Sequence, residues 1–556
     1  IIRREKLQQL RDRGINPYPA ELYPVSDTSI KIKANFEEGK KVVVAGRLMS
    51  RRIQGSASFA ELQDADGRIQ VYFNRDEICP GEDKSYYNDV YKKLLDIGDF
   101  IGIEGELFKT QVGEKTIMVK NFTLLSKALK PLPQPRVDAE GKVHDAFTDP
   151  EQRYRQRYAD LVVNPHVKEI FVKRTKLFNA MRTFFNERGY FEVETPILQP
   201  IPGGAAARPF ITHHNTLDIP LYMRIANELY LKRLIVGGFD GVYEFSKNFR
   251  NEGMDRTHNP EFTAMEIYVS YKDYNWMMDF CEQLLEFCAM EVNGTTKATF
   301  GKHEIDFKAP YPRVTMAESI KHFTGFDITG KTEEEIRKAA MNMKIPVDDT
   351  MGKGKLIDEI FGEKCEGNYI QPTFITDYPK EMSPLCKEHR DNPELTERFE
   401  LMVCGKEIAN AYSELNDPID QRERFEAQLK LADRGDDEAT AFIDYDFLRA
   451  LEYGMPPTSG MGIGMDRLIM FLTNNASIQE VLFFPQMRPE KKKIEMTEEE
   501  KTVYTLLKAN SPIALEILKT QSGLSNKKWD KAIKGLTASK VAKVEKTEDA
   551  LMVSTI

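Results

Sequence analysis

Five short β-strand segments near the start of the chain limit the fold more than any other feature. They are KVVVAGRLMS, FAELQD, RIQVYF, DFIGIEGELFKT and TIMVKNFTLLS, between residues 41 and 126. Turn signals such as Asp66-Gly67 and Val112-Gly113-Glu114 separate them. Strands this short and this closely spaced predict a small closed barrel.

Composition excludes several classes of protein. The chain has 556 residues, which favours about three or four domains. No apolar run is long enough to span a membrane. Six cysteines without a CxxC pair argue against structural zinc or a disulfide framework and favour a reducing, cytoplasmic compartment. The net charge of −9 argues against a general polyanion binder, so any nucleic-acid contact must use local basic surface, as in residues 41–75.

The body of the chain, residues 150–490, follows a stiff linker, KPLPQP. It alternates helix-like stretches such as HVKEIFVKRTKLFNAMRTFFNERG with strand-like runs such as GVYEFSKNFR and FTAMEIYVSY. This alternation predicts an α+β domain with antiparallel hairpins. A charged break, KKKIEMTEEEK, ends it.

The first chemical cluster is FRNEGMDRTHNPEF, residues 249–262. It is predicted to join two strands through the loop 253–260. Arg250 and Glu252 would share one face of the first strand, and Glu266 and Tyr268 one face of the second. If these faces coincide, the hairpin presents a cation, two acids and a phenol to one pocket. The alternative is a solvated hairpin face with ordinary charge pairs.

The second cluster is FELMVCGKEIANAYSEL, residues 399–415. A two-residue turn at Cys404-Gly405 would place Glu400 and Glu407 diagonally on one face. Two adjacent carboxylates suit Mg²⁺, which also takes phosphate ligands. Three further polar residues would lie on the opposite face of the strand from Glu407, because they are an odd number of residues away from it: Asn410, Tyr412 and Glu414. Either a β-bulge intervenes or the two sets serve different surfaces.

The third cluster is GMGIGMDR, residues 460–467. It is predicted to be a Gly-rich turn that opens a helix. Its glycines permit close approach of the backbone to a ligand, although ordinary packing also explains them. It is not a P-loop, because neither GKS nor GKT follows.

Together these stretches resemble class II aminoacyl-tRNA synthetases. FRNEG…HNPEF is similar to motif 2 of that class, GMGIGMDR to motif 3, and FFNERGYFEVETPIL to motif 1. More closely, IPGGAAARPFITHHN, YLKRLIVGGFDGVYEFSKNFRNEG, THNPEFTAMEIY and KEIANAYSELND resemble the bacterial lysyl-tRNA synthetases. The resemblance covers roughly residues 3–490, so the chain carries a C-terminal extension beyond it.

The resemblance implies an α+β protein in several parts. Residues 1–40 would form an N-terminal helix and lead-in, and residues 41–135 an OB-fold barrel that binds the anticodon. Residues 150–490 would form the class II catalytic domain around an antiparallel sheet. Residues 495–556 would form a small winged-helix-like extension.

The implied reaction is ATP-dependent. The carboxylate of L-lysine would attack the α-phosphate of ATP, and the resulting lysyl-adenylate would pass its lysine to the 3′ end of tRNA(Lys). Such catalysis rests on positioning and charge neutralisation. Arg250 would bridge the carboxylate and the α-phosphate, and Glu252 would bind the adenine amino group. The adenine would lie between Phe262 and Arg467, His258 would reach the distal phosphates, and Mg²⁺ would bind Glu400 and Glu407.

The implied amino-acid pocket is rich in carboxylates. Its residues are Gly204, Glu228, Glu266, Tyr268, Asn410, Tyr412 and Glu414. Glu228 and Glu414 would take the ε-ammonium group of lysine, and Glu266 the α-ammonium group. A pocket for aspartate would instead need a cation, because an unpaired buried charge is costly.

The implied RNA contact lies on the barrel. Phe59 would stack on an anticodon base, and Arg52 and Gln70 would make polar contacts beside it. Taken alone, Phe59 also fits an aromatic residue of the barrel core. The family further implies a cytoplasmic homodimer, formed through the motif 1 helix, with no membrane association.

Two other functions remain open for such a chain. One is a synthetase-like paralogue that modifies a protein lysine; such relatives usually lack the anticodon barrel. The other is a non-catalytic RNA-binding relative, against which the intact Arg250, Glu400, Glu407 and Arg467 argue.

The extension, residues 491–556, has a composition of its own. It holds 13 Lys and 9 acidic residues and is predicted to form three helices and two strands around Glu545 to Asp549. Thr497 and either Ser511 or Ser525 are predicted N-caps, with Pro512 in a first helical turn. The third helix would turn Trp529 inward and expose four lysines: Lys527, Lys528, Lys531 and Lys534. An auxiliary contact to tRNA phosphates is one hypothesis, and a partner-docking or merely stabilising appendage is the alternative.

Overall fold

The computed structural model describes residues 1–137, 143–144, 146–205, 207–433, 442–490, 496–539, 541–547 and 550–555. The chain divides into two units, residues 1–486 and 487–556. Within the described ranges, no helix is long and apolar enough to cross a membrane.

The predicted barrel is confirmed. Helices α1 and α2 precede it: Ile2–Asp12 and Ser29–Ala34. Its strands β1 to β5 are Lys41–Gln54, Ala57–Gln63, Arg68–Asn74, Phe100–Lys109 and Lys115–Ser126. They close in the order β1-β2-β3-β5-β4, with β3 and β5 parallel and the other neighbours antiparallel. Between β3 and β4 lie α3, Arg75–Ile78, and a π-helix, Tyr86–Leu94. Alternate side chains of the strands fill the core.

Two short strands and three helices follow the barrel. The strands β6 and β7 are Arg136–Val137 and Val143–His144. The helices α4 to α6 are Pro150–Arg155, Arg157–Val163 and Pro165–Asn186. The last of these contains most of the helix predicted for the motif 1 region.

A sheet of eight strands forms the centre of the body, as predicted. The strands from β8 to β22 are, in chain order, Phe191–Glu192, Leu198–Gln199, Ile211–His214, Ile219–Met223, Gly241–Phe249, Glu261–Ser270, Lys297–Phe300, His303–Asp306, Arg313–Thr315, Thr373–Thr376, Glu388–His389, Asn392–Thr396, Arg398–Val403, Lys406–Ser413 and Thr458–Gly464. The large sheet has the order β16-β17-β20-β21-β22-β13-β12-β8. Its interior pairs are antiparallel, and only the edge pairs β16–β17 and β12–β8 are parallel.

Helices cover both faces of this sheet. Helices α7 to α15 are Glu228–Val236, Tyr274–Asn293, Met316–Thr324, Glu333–Asn342, Lys353–Lys364, Pro418–Asp433, Tyr445–Glu452, Met465–Leu472 and Ile478–Val481. Met265 and Ile267 of β13 point into the core formed with α6 and α8. Glu266 and Tyr268 have the other parity and therefore face away from that core. The two faces of one strand thus separate packing from chemistry.

Two boundaries differ from the sequence prediction. Strand β12 ends at Phe249, so Arg250 and Glu252 belong to the loop and do not share a strand face. The Gly-rich segment is not a turn but the strand β22, which pairs with β13 on one side and β21 on the other. Pairing on both sides outweighs the weak strand preference of glycine.

The second unit is small and mixed. Its elements α16, β23, α17, α18, β24 and β25 are Glu498–Asn510, Ile513–Ala514, Leu515–Ser522, Asn526–Ala538, Ala542–Lys546 and Leu551–Thr555. The strand order is β23-β25-β24. Trp529 is 3% exposed and lies in the core, as predicted.

The predicted helix starts of this unit have mixed outcomes. Thr497 caps α16 in a capping box with Glu500. Ser525 precedes α18 without a side-chain cap. The prediction for Ser511 and Pro512 is wrong, because they precede strand β23 and α17 starts only at Leu515. The predicted turn residue Asp549 lies outside the described residues.

Candidate active site

One cavity of about 980 Å³ opens on the face of the sheet opposite α6 and α8. It is lined by every residue that the sequence predicted for nucleotide, metal or amino-acid binding: Gly204, Glu228, Arg250, Glu252, His258, Phe262, Glu266, Tyr268, Glu400, Glu407, Asn410, Tyr412, Glu414 and Arg467. The solvated hairpin face is therefore not the arrangement that the chain adopts.

A bulge in the β20–β21 hairpin joins the two sets of polar residues. The predicted turn is present, with positive φ at both Cys404 and Gly405. Met402 pairs with Glu407, but Leu401 pairs with Ala409, so the intervening residue is extra. This shift inverts the side-chain parity beyond it. Asn410 consequently lies opposite Glu400 and donates a hydrogen bond to its Oε1 at 3.3 Å.

Glu400 and Glu407 form the acidic part of the cavity. Burial, and then the charge of Glu407, raise the pKa of Glu400 to about 7. Arg398 opposes this rise, since its Nη2 lies 2.5 Å from Glu400 Oε1. The excess negative charge is what a bound cation would neutralise.

Two arginines and one histidine lie in or beside the motif 2 loop. The guanidinium of Arg250 lies over the ring of Phe262, 5.0 Å from its centroid. Its Nε is buried and has no hydrogen-bond partner among the described residues. Arg467 Nη2 lies 3.2 Å from His258 Nε2. The ring of His258 also contacts Asp255 through Nδ1 at 2.8 Å. Phe262 therefore stacks on Arg250 here, and Arg467 contacts His258.

The opposite end of the cavity holds three buried carboxyl groups. Tyr268 donates a hydrogen bond to Glu266 at 3.0 Å. Burial, and then the charge of Glu228, raise the pKa of Glu266 to about 8. Burial also raises the pKa of Glu414 to about 8, although Lys232 counteracts it. Because like charges crowd this end, it favours cationic ligands.

Lys232 was not predicted as a site residue. Its side chain is 0% exposed, and its Nζ lies 2.5 Å from Glu228 Oε1. It also forms an ion pair with Glu414. Glu228 lies one helical turn before Lys232 on α7, which fixes the first of these contacts.

Glycines make room for the pocket side chains. Gly460 of β22 lies between Tyr268 of β13 and Tyr412 of β21. A Cβ atom at this position would collide with Tyr268 and Glu414. Gly204 has φ of 87°, a conformation that favours glycine, and closes the edge of the pocket near Glu228.

The predicted RNA-contact residues lie together on the barrel. Arg52 and Phe59 are paired across β1 and β2, and Phe59 is paired with Tyr72 across β2 and β3. The rings of Phe59 and Tyr72 are 4.8 Å apart, and Phe108 lies 6.0 Å beyond Tyr72. Gln70 shares their strand parity and donates a hydrogen bond to Thr116 at 2.9 Å.

Phe59 is not a core residue of the barrel. It is half-buried, whereas its neighbours Ser58 and Ala60 are buried. The three rings, Phe59, Tyr72 and Phe108, thus form an aromatic row on the outer face. Sequence reasoning missed Tyr72 and Phe108, although alternation along the strands assigns them to that face.

Two family models match the chain. The model of class II tRNA synthetases (D, K and N) matches residues 149–488. The chain belongs to this synthetase family. The model of an OB-fold nucleic acid binding domain matches residues 42–125, the part that forms the barrel.

Several curated relatives of this synthetase are named lysine–tRNA ligase. The one from Christiangramia forsetii is 79% identical over 550 residues, 99% of this chain and 96% of its own length. The one from Porphyromonas gingivalis is 70% identical over 496 residues, 88% of this chain and 86% of its own length. The one from Azobacteroides pseudotrichonymphae is 65% identical over 494 residues, 88% of this chain and 98% of its own length.

Two charged residues of the synthetase site were missed by the sequence analysis. Lys232 follows Glu228 at the spacing of one helical turn, which is a readable signal in NELYLKRL. Arg398 precedes Glu400 at the spacing of one strand face. Both signals are common in proteins, and only the folded site shows that each cation lies against a carboxylate of the cavity.

Proposed function

We propose that this synthetase is a lysine–tRNA ligase, which activates L-lysine with ATP and transfers it to the 3′ end of tRNA(Lys). The observation that carries the proposal is a single cavity with three buried carboxylates at one end and two arginines, Arg250 and Arg467, near the other. This distribution of charge fits an amino acid with a cationic side chain, bound beside a nucleoside triphosphate. The relatives named lysine–tRNA ligase support the same substrate.

Arg250 is the group assigned to the developing charge. Its guanidinium is held over Phe262, and its buried Nε has no hydrogen-bond partner within the described ranges, so an oxygen of a substrate could satisfy it. A planar, permanently charged fork suits the α-phosphate and the lysine carboxylate together. Stabilising the charge that builds up during attack lowers the barrier, and alignment of the two substrates adds to this effect.

The remaining nucleotide contacts are assigned on the same basis. Glu252 would accept a hydrogen bond from the adenine amino group, and Phe262 offers a ring for stacking. His258 and Arg467, which contact each other across the cavity, would bind the distal phosphates and the adenine respectively. To stack on the adenine ring, Arg467 would have to break its contact with His258.

Selection of lysine follows from the carboxylates. Glu228 and Glu414 would bind the ε-ammonium group, and Glu266, oriented by Tyr268, the α-ammonium group. Asn410, Tyr412 and Gly204 would shape the walls. An uncharged analogue would leave a buried carboxylate without a cation, which costs several kcal/mol.

Glu400 and Glu407 are the residues that would hold Mg²⁺. The described residues contain no cluster of three or more His, Cys, Asp or Glu able to hold a metal by themselves. The two carboxylates repel each other, as the raised pKa of Glu400 shows, and a cation between them would relieve this repulsion. Mg²⁺ suits the position because its other ligands can be water and phosphate oxygens. When bound, Mg²⁺ would neutralise and orient the phosphates.

The tRNA and the partner subunit would contact other surfaces. Arg52, Phe59 and Gln70 are assigned to the anticodon, because a half-buried ring on the outer face, flanked by polar groups, suits single-stranded bases. Homodimer formation in the cytoplasm is assigned to the motif 1 region. Exposed apolar side chains of that region support a contact there: Phe191, Ile197 and Leu198.

Lysine-dependent exchange of labelled pyrophosphate into ATP tests the proposal. We expect exchange with L-lysine and Mg²⁺, and none above background with L-aspartate or L-asparagine. Equal or faster exchange with either of these amino acids would exclude lysine as the substrate.

A further inference from the structure

The amino-acid end of the cavity is the end that holds Glu228, Glu266 and Glu414. Within the described part of the chain, Lys232 is the one fully buried lysine that contacts carboxylates of this end. Its Nζ lies 2.5 Å from Glu228 Oε1 and forms an ion pair with Glu414 Oε2. The ring of Phe447 lies 5.9 Å away on the outer side. A charge in such a position is costly unless it is fully paired, so its presence calls for a reason.

The charges of this end of the cavity do not balance without Lys232. Glu228, Glu266 and Glu414 carry three potential negative charges. A fourth buried carboxylate, Glu244, is already paired with Arg224 at 2.8 Å. L-lysine brings two ammonium groups to this end, while its carboxylate belongs to Arg250. One negative charge would therefore remain without a partner.

We propose that Lys232 is a positioning residue, a built-in counter-ion that holds Glu228 and Glu414 side by side and leaves two carboxylate charges for the two ammonium groups of the substrate. This inference rests on the proposed function and extends it. It assigns specificity to a residue that does not itself line the cavity.

The positions of the two oxygen atoms of Glu414 support a sharing of this carboxylate between Lys232 and the substrate. Lys232 contacts Oε2 from the side of α7. Both oxygens are buried and accept no hydrogen bond from the described residues, so the ion pair with Lys232 is what distinguishes Oε2, whereas Oε1 lies beside Gly460 on the cavity wall. One oxygen is thus held by the protein and the other remains for a ligand. An internal cation in this position fixes the orientation of the carboxylate before the substrate arrives.

Removing the cation should weaken lysine binding. In Lys232→Met the aliphatic part of the side chain is kept, but Glu228 and Glu414 face each other uncompensated. Like charges in a buried site favour protonation of one partner. We expect the KM for L-lysine in pyrophosphate exchange to rise at least tenfold, with kcat and the KM for ATP changed less than threefold.

Selectivity provides a second readout. A protonated carboxyl group binds a hydroxyl as readily as an ammonium group, so the preference for L-lysine over 6-hydroxynorleucine should fall at least tenfold in kcat/KM. An unchanged or lower lysine KM, or unchanged preference, overturns the proposal. Lys247→Met, which removes an exposed lysine paired with Glu261, is the matched control and should change neither value.

Thermal unfolding separates a counter-ion from a general packing role. If Lys232 compensates the carboxylates, Lys232→Met/Glu414→Gln should have a higher Tm than Lys232→Met alone. Additive loss of Tm in the double variant, or failure of both variants to fold while the control folds, assigns Lys232 to packing and overturns the proposal. Wild-type exchange with L-lysine tests the proposed function separately, and the Tm comparison does not depend on it.

Discussion

Glu266 and Glu414 illustrate at the scale of single residues how burial tunes a binding site. Both pKa values are raised to about 8, mainly by burial and further by neighbouring carboxylates, against the opposing effect of Lys232 on Glu414. The charged carboxylate binds an ammonium group more tightly than the protonated form does, because the protonated form offers a hydrogen bond without a counter-charge. A raised pKa therefore makes lysine binding compete with protons below pH 8.

We expect the Kd for L-lysine to fall between pH 7 and pH 8, about fivefold if one carboxyl group with a pKa of about 8 must be ionised and about thirtyfold if both must be. Calorimetry at pH 7 in two buffers of different ionisation enthalpy should show proton release on binding. A Kd that stays constant from pH 6.5 to pH 8.5, without proton release, would contradict the raised pKa values.

Arg250 gives the second prediction at this scale. Arg250→Ala should lower the rate of lysine-dependent pyrophosphate exchange by on the order of a thousandfold, because a preorganised charge at the reacting phosphate is lost. Exchange kinetics with the purified variant measure this. Arg313→Ala, which removes an exposed arginine paired with Asp279, should keep the wild-type rate. A loss confined to tRNA charging would show that Arg250 does not serve activation.

At the scale of elements, strand β22 explains why a glycine-rich segment lies in the middle of a sheet. Gly460 is directly paired with Tyr268 and Tyr412, and its missing side chain leaves space for Tyr268 and Glu414. The element contributes little packing of its own at this position and instead forms the floor of the amino-acid end.

Gly460→Ala should therefore raise the KM for L-lysine at least tenfold, while the KM for ATP changes less than threefold. The added methyl group would displace Glu414 and Tyr268, which belong to the amino-acid end only. Gly362→Ala, in helix α11, is the matched control, since its nearest contact, at 3.9 Å to Glu366, is ordinary. Equal increases in both KM values would show that the sheet as a whole is disturbed.

At the scale of the whole molecule, the proposed site of amino-acid activation and the proposed RNA contact lie in separate parts of the chain. The cavity lies on the large sheet, whereas the aromatic row lies on the barrel. Phe59→Ala should spare pyrophosphate exchange and weaken tRNA(Lys) charging by about tenfold or more in kcat/KM, because one stacked base is worth ~1–3 kcal/mol. Parallel assays of exchange and charging measure this. Equal loss in both assays would show that the barrel residue acts through the fold.

The second unit gives the last prediction. Lys527, Lys531 and Lys534 of α18 are exposed, whereas Lys528 is paired with Glu499 at 2.9 Å. If this surface contacts tRNA phosphates, a chain that ends at Glu490 should keep lysine activation and bind tRNA(Lys) more weakly. Three lost contacts should lower the slope of log Kd against log salt by about 2.

Filter-binding measurements at several salt concentrations test this surface. The full-length variant with Lys527, Lys531 and Lys534 changed to Ala should reproduce most of the effect, which separates the charges from the rest of the unit. Unchanged affinity and slope in the truncated chain would assign the unit to partner docking or stability.

The sequence by itself determined the barrel, the hairpins and most of the site. Alternation along strands and short turn signals are local, so the five barrel strands and the turn at Cys404-Gly405 could be predicted from neighbouring residues. Spacing along predicted strands singled out Glu400 and Glu407, whereas the resemblance to class II synthetases supplied residues such as Glu228, His258 and Arg467.

Only the tertiary structure decided which of these side chains meet. The extra residue in β21 unites two sets of opposite parity, and local propensity does not fix the register of a strand. Glu228 and Glu414 are distant in the chain, and packing alone brings both against Lys232. Pairing with two neighbours likewise made the Gly-rich segment a strand. These outcomes depend on long-range contacts and burial, for which the sequence carries no local signal.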